Sequence, residues 1–357
     1  MLPRQAMPPK EVHVPADANT LEAEADDYSD RDSAFASLGA SSTTSIGSSI
    51  LKYREENGRT YHAYKEGKYP LPNDEVSPPL IGLDVANIEK GEKDRLDLQH
   101  HLYILTYGNK LFLAPIPKET PLHRVLDVGT GTGIWAIDFA DEHPESQVLG
   151  VDLSPIQPMF LPPNLSFEID DLEEPWNFGQ KFDFIYSRML TGSFADWPRF
   201  FEQSLQNLHP GGYLEVSDLT FPTLVDDDTY PENSALKRWG VQGVEASIKL
   251  GRPINSAESY KQQMIDAGFE DVIEVKNKWP TNRWPKDRHM KELGMWNHEN
   301  IAGSLSGLTM AMYTRGLGWT AEEVEVFCTE VRKEMRDTKI HAYFDIYTVY
   351  GRKPKLA

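Results

Sequence analysis

The sequence predicts an α/β fold, a mostly parallel sheet with helices on both faces. Three consecutive stretches predict it. Arg124-Val-Leu-Asp-Val128 reads as a buried strand, Gly129-Thr-Gly-Thr-Gly133 as a loop with glycine at alternate positions, and Ile134 to His143 as an apolar helix. Glycine lets the backbone turn at positive φ and approach a ligand where a Cβ would collide. Gln147-Val-Leu-Gly-Val-Asp152 then reads as a second strand, and the 25 residues from Asp127 to Asp152 suit one βαβ unit. In an open α/β sheet, ligands bind beyond the carboxyl ends of the strands where the strand order reverses, and both loops open there.

Glycine spacing decides which ligand. The dinucleotide fingerprint G-x-G-x-x-G would place its third glycine at position 134, but Ile134 is there and the glycine is Gly133. An acid inside the strand followed by G-x-G-x-G resembles the pattern of S-adenosylmethionine (SAM) methyltransferases. In that arrangement Asp127 supports the loop, and Gly129, Thr130, Gly131 and Gly133 frame the methionine part. Asp152, with Leu153 after it, ends the second strand where a carboxylate can take both ribose hydroxyls. The plainer role for Asp152 is a helix cap, but Ser154-Pro155 already supplies one.

Leu165 to Leu172 follows as a short strand ending in two acids, Asp170 and Asp171. An adenine amino group needs an acceptor; Asp171 is favoured over Asp170, with Leu172 as amide donor and apolar wall. Phe182 to Ser187 is a fourth strand, ending at Ser187-Arg188-Met-Leu190 beneath the methionine part. Pro198 to Leu208 reads as a helix, and His209-Pro-Gly-Gly212 as the turn into a fifth strand, Tyr213 to Ser217. Pro231 to Leu250 and Ala257 to Gly268 read as helices, with Phe269 to Val275 the sixth strand and His341 to Gly351 the seventh. A helical insert, about 279–339, carries Trp279, Trp284, Trp296 and Trp319 and methionines at 290, 295, 310 and 312. These residues either cap a hydrophobic acceptor pocket or form the insert's own core.

Residues from about 57 to 220 resemble the fungal LaeA-like group of SAM-dependent methyltransferases. The resemblance is carried by Asn57-Gly-Arg-Thr-Tyr61-His62, Tyr69-Pro-Leu-Pro-Asn73-Asp-Glu75, Asp94-Arg-Leu-Asp-Leu-Gln-His100, Gly131-Thr-Gly-Ile-Trp135-Ala-Ile137 and Pro155-Ile-Gln-Pro158. It implies the class I, Rossmann-like fold with seven strands, the last antiparallel, SAM as cofactor, and a link to secondary metabolism or its control. Two departures stand out. Thr130 occupies a position where the group often has Cys, and Ser77 to Lys93 reads as an insertion.

Composition sets the surroundings. Residues 1–50 form an expected disordered segment: Met1 to Ser49 has eight acids, three bases and a serine-threonine cluster from Ser33, with little to bury. Residues 51–123 form an expected helical arm or lid, and 124–357 the methyltransferase domain. Neither a signal peptide nor a membrane span is evident, so a cytoplasmic or nuclear protein is expected. The one cysteine, Cys328, lies on an apolar helical face with Val324, Phe327, Val331 and Met335, which reads as core. No metal-ligand spacing occurs. With 55 acids against 36 bases and a net charge of -19, nucleic acid is an unfavourable partner. A small-molecule acceptor or a protein side chain remains.

Methyl transfer from a sulfonium asks mainly for alignment. A base matters only for a protonated acceptor, and Asp218, His289 and His298 are the candidates. Glu215, in the fifth strand, could also face the cofactor. Tyr61, Tyr64 and Tyr69 could close over a sulfonium through their ring faces, and Arg59 could meet the cofactor carboxylate. His100 and His101 read as packing or hydrogen-bonding residues. The sequence thus predicts a SAM-dependent methyltransferase acting on an oxygen or nitrogen of a secondary metabolite. The alternative is a regulator working through protein partners in a nuclear complex. An NAD-dependent enzyme is opposed by the position of Gly133.

Overall fold

The computed structural model describes residues 54–57, 59–61 and 91–355. The expected segment 1–50, Tyr64, Tyr69 and most of the 77–93 insertion lie outside them, and Tyr61 and Arg59 are described in backbone only. Arg54–Glu56 (β1) and Arg59–Tyr61 (β2) pair as an antiparallel hairpin. After helix α1 (Glu92–Thr106) comes the main sheet, built from β3 (Arg124–Val128), β4 (Gln147–Asp152), β5 (Leu165–Ile169), β6 (Phe182–Arg188), β7 (Leu208–Leu219), β8 (Glu270–Pro280) and β9 (Tyr343–Arg352). Its order is β5-β4-β3-β6-β7-β9-β8. The first five are mutually parallel, and β9 runs antiparallel between β7 and β8. The chain moves outward from β3 through β4 and β5, then returns to β6 on the other side. The order therefore reverses at β3, and the glycine loop leaves the sheet there.

Helices α2 (Ile134–Glu142), α3 (Trp197–Asn207) and α5 (Tyr260–Asp266) flank the sheet. On one face Trp135 and Phe139 of α2 pack against Phe184 and Tyr186. On the other, Phe200, Phe201 and Tyr260 cover Leu126, Val128 and Leu214. A third cluster joins α4 (Ala235–Lys249), α6 (Arg288–Ala302), α7 (Leu305–Met312) and α8 (Ala321–Arg336) to α1. Cys328 is fully buried in it, as the spacing on α8 predicts.

Four boundaries differ from the sequence reading, each for a local reason. His209 to Gly212 is not a turn between elements: β7 starts at Leu208 and stays beside β6, with a register shift that absorbs the extra residues. Gly211, at φ 85°, supplies the kink. Helix α4 starts at Ala235 rather than Pro231, because Ser234 caps it and Glu334 accepts from the Ala235 and Leu236 amides. A 3-10 turn, Ser256–Ser259, precedes α5 where one longer helix was expected. Finally, β8 extends to Pro280, so Trp279 belongs to the sheet and not to the insert.

Candidate functional site

The glycine loop is fixed from both sides. Asp127 is buried within β3 and accepts from the Thr130 hydroxyl at 2.5 Å, while the Gly129 and Thr130 amides donate to Val151 O on β4 at 2.8 and 3.0 Å. Gly129, Gly131 and Gly133 have φ of 68°, 57° and 81°, the left-handed region that glycine enters without strain. A Cβ at Gly129 would overlap Leu190, and one at Gly133 would overlap the Phe167 ring. Trp135 anchors the following helix by stacking on Tyr186 at 3.9 Å and donating to Leu111 O.

A cavity opens beyond this loop, enclosing about 1190 Å³ of space that is partly open to solvent. Its wall includes Asp127, Gly129, Thr130, Gly131, Asp152, Leu153, Asp170, Asp171, Leu172 and Arg188, brought together from the ends of four strands. Two expected site residues stand back from it. Gly133 caps α2 behind the loop, and the Ser187 hydroxyl is buried inside the sheet.

The wall is rich in acceptors. Asp152 takes the Gly131 amide at 2.8 Å and the Ser154 amide at 3.0 Å, one on each oxygen, and lines the cavity. Burial pushes its carboxyl up to about 6 and that of Asp127 to about 7. Asp170 is exposed and folds onto the Asp171 amide; Asp171 is buried and holds the Glu173 amide. Carboxylates raised by burial gain from hydroxyl or amine donors and from positive charge. A SAM molecule brings two ribose hydroxyls, two amino groups and a sulfonium, so a wall carrying Asp152, Asp170 and Asp171 fits it.

Sequence reasoning missed the α1 side of the cavity. Glu92, Leu96 and Gln99 line it from above, with Ile156, Tyr186 and Phe194 elsewhere on the wall. The spacing of the three α1 residues, four then three, puts them on one helix face, and that was the available signal.

A second cavity, enclosing about 980 Å³, adjoins the first and shares Leu96, Gln99 and Met189 with it. Apolar side chains dominate its lining, among them Leu219, Phe221, Trp239, Ile254, Leu308 and Met312. Of the insert residues expected either to cap a pocket or to pack on one another, Met312 lines this cavity while Trp284 is buried away from it.

None of the three base candidates reaches either cavity. Asp218 lies within β7, fully buried, accepting from the Leu190 amide at 2.6 Å and the Tyr260 hydroxyl at 2.5 Å, and burial raises its carboxyl to about 7. It holds the loop after β6. His289 is exposed at the start of α6, and His298 packs against Thr281 O at 3.1 Å. Glu215 also turns away from the cofactor side, where its carboxylate accepts from the Leu113 and Ala114 amides, and burial raises it to about 8. His100 bridges Asp138 at 2.9 Å and Arg188 at 3.1 Å, a hydrogen-bonding role as expected.

Comparison with known proteins agrees with this geometry. Residues 98–274 match the family described as a methyltransferase domain. Methyltransferase pytC of Aspergillus terreus is 37% identical over 350 residues, covering 98% of this chain and 98% of its own length. The secondary metabolism regulator LAE1 of Cochliobolus heterostrophus is 37% identical over 305 residues, 84% of this chain and 94% of its own. The protein-methionine methyltransferase laeA of Emericella nidulans is 33% identical over 307 residues, 85% of this chain and 77% of its own. With an acid-lined cavity at the switch point of a seven-stranded sheet and relatives matched along most of its length, the chain belongs to the LaeA-like family of SAM-dependent methyltransferases.

Proposed function

We propose that the enzyme methylates an oxygen or nitrogen of a small, mostly apolar secondary metabolite held in the second cavity. The observation that carries this reading is the junction at Leu96, Gln99 and Met189, where an apolar cavity meets the acid-lined one. Bound SAM supplies an electrophilic methyl group, which needs no further activation. On this reading Asp152 holds the ribose hydroxyls, Asp171 and Leu172 hold adenine, and the 129–133 loop frames the methionine part. Arg188, stacked on Tyr103 at 4.8 Å and bound to His100, is fixed on the cavity wall beneath that part. The protein's remaining contribution is orientation and exclusion of water, since no acid or base candidate lines the junction. We place this activity in the cytoplasm; no helix among the described residues is long and apolar enough to cross a membrane.

The names of two relatives, a regulator and a protein-methionine methyltransferase, favour one second reading, a protein acceptor within a nuclear regulatory complex. Incubation with methyl-labelled SAM and a fungal metabolite extract separates the two. Label in the organic-soluble fraction supports the metabolite reading. Label only in acid-precipitated protein overturns it.

A further inference from the structure

Among the described residues, Gln99 is the one polar side chain that both cavities share. It is only 3% exposed, and its Nε2 is buried with no hydrogen-bond partner among the described residues. Buried polar groups in folded proteins are satisfied with few exceptions, so an unfilled donor on a residue that lines two ligand-sized cavities calls for an explanation.

The other polar groups around the second cavity are already engaged. Arg95 forms a two-point ion pair with Glu92, at 2.5 and 2.8 Å, and reaches Asn300. Arg252 pairs with Glu173 at 2.7 Å and donates to Ser193 O. The Thr191 hydroxyl donates to Leu219 O, the Ser247 hydroxyl to Val244 O, and the Trp239 indole to Thr309. Each cation is therefore neutralised within the protein, and the cavity offers an acceptor neither net charge nor, Gln99 apart, a spare side-chain donor among those named. The wall opposite α1 is fixed as well. Met189 sits at φ 56°, unusual for a side chain of its kind, and Asp218 holds the next amide at 2.6 Å.

We propose that Gln99 anchors the acceptor and selects its class. Its amide donates to a neutral carbonyl oxygen of an uncharged aromatic or polycyclic molecule, next to a phenolic hydroxyl whose oxygen takes the methyl group as the sulfonium's carbon–sulfur bond breaks, leaving S-adenosylhomocysteine, while its proton passes to solvent. Because Gln99 lies at the junction, an oxygen held there lies at the cofactor end of the cavity while the apolar body fills the rest. Charged acceptors are disfavoured, since each would bring a charge that the paired arginines leave unmatched. This inference rests on the reading of the second cavity as the acceptor site.

A matched pair of probes tests it: 2-acetyl-1-naphthol, and 2-isopropenyl-1-naphthol, which has a methylene group in place of the carbonyl oxygen. Each is titrated by calorimetry into protein saturated with S-adenosylhomocysteine. The wild type should bind the ketone about three- to tenfold more tightly, the worth of one neutral hydrogen bond. Gln99→Leu should erase that preference, with the ketone falling to the affinity of its carbon analogue. Gln99→Met, an unbranched side chain of similar length without a donor, should erase it too and serves if the leucine variant does not fold. A preference that survives both substitutions overturns the assignment. So does a variant that loses S-adenosylhomocysteine instead, because Gln99 would then serve the cofactor. Equal binding of both probes by the wild type refutes the role of Gln99 but leaves the apolar acceptor site standing. Binding of neither probe, with S-adenosylhomocysteine still bound, overturns the acceptor reading and this inference with it.

Discussion

Asp152→Ala tests the cofactor assignment most sharply among single substitutions. The carboxylate has about four acceptor positions. Two are filled by the Gly131 and Ser154 amides at 2.8 and 3.0 Å, leaving one on each oxygen for the two ribose hydroxyls. A hydrogen bond to a charged group is worth about 1.5 to 3 kcal/mol, and water entering in place of the carboxylate returns part of the sum, so losing both should weaken S-adenosylhomocysteine by roughly 2 to 4 kcal/mol. That is about one and a half to three decades in Kd, well within the range of calorimetry. The substitution also frees the Gly131 amide, so Asp152→Asn is the necessary partner: it keeps the side chain's shape and one oxygen but removes the charge. It should bind between the wild type and the alanine variant. The pH dependence has a definite sign. Burial holds the carboxyl at about 6 without ligand, and bound hydroxyl donors favour its ionised form, so affinity is full above that pH and falls as pH drops below it. A loss below about threefold in Asp152→Ala, under roughly 0.7 kcal/mol, would refute the ribose role, as would an asparagine variant that binds like the wild type.

Other consequences can be checked with the same protein. Glu215, raised to about 8 by burial, keeps its proton in the folded state at a pH where the unfolded chain has released it. Its contribution to stability is therefore largest at low pH and is lost as pH rises through that value. The melting temperature of Glu215→Gln relative to wild type should become more favourable from pH 5 to pH 8; a constant difference would contradict the assignment. Gly133→Ala should lower the melting temperature by several degrees, since αL geometry costs a non-glycine residue about 1 to 2 kcal/mol and the new methyl meets Phe167. Gly179→Ala, with open space around it, should be silent, and equal effects in the two variants would show that neither argument applies. Met312→Trp should fill the second cavity and abolish acceptor turnover while S-adenosylhomocysteine still binds; a parallel loss of both would mean the cavities do not act separately. Deleting Met1 to Ser49 should leave the melting temperature unchanged, and a drop of several degrees would show that the segment docks.

The cofactor half of the site was legible because it is local. Asp127, the glycine loop and Asp152 lie within one βαβ unit, where strand, turn and helix signals are written in consecutive residues and the crossover rule places both loops at one end of the sheet. The second cavity, the proposed acceptor site, was not legible, because it is assembled from distant segments. Gln99, Met189, Trp239 and Met312 come from four parts of the chain, and only packing of α1 against the insert brings them together. Glu215 and Asp218 show a further limit. Alternation along β7 puts them on opposite faces but does not say which face meets the cofactor, and both proved to hold backbone amides. The His209 to Gly212 stretch misled for a different reason. Pro-Gly-Gly marks a turn by composition, yet its glycines here serve a kink inside a continuous strand.

The most direct measurement is a crystal structure of the protein with S-adenosylhomocysteine. The account predicts the ribose hydroxyls on Asp152, adenine beside Asp171 and Leu172, and the homocysteine sulfur facing the gap between Gln99 and Met189. Ligand density elsewhere, or a sulfur turned away from the second cavity, would contradict it.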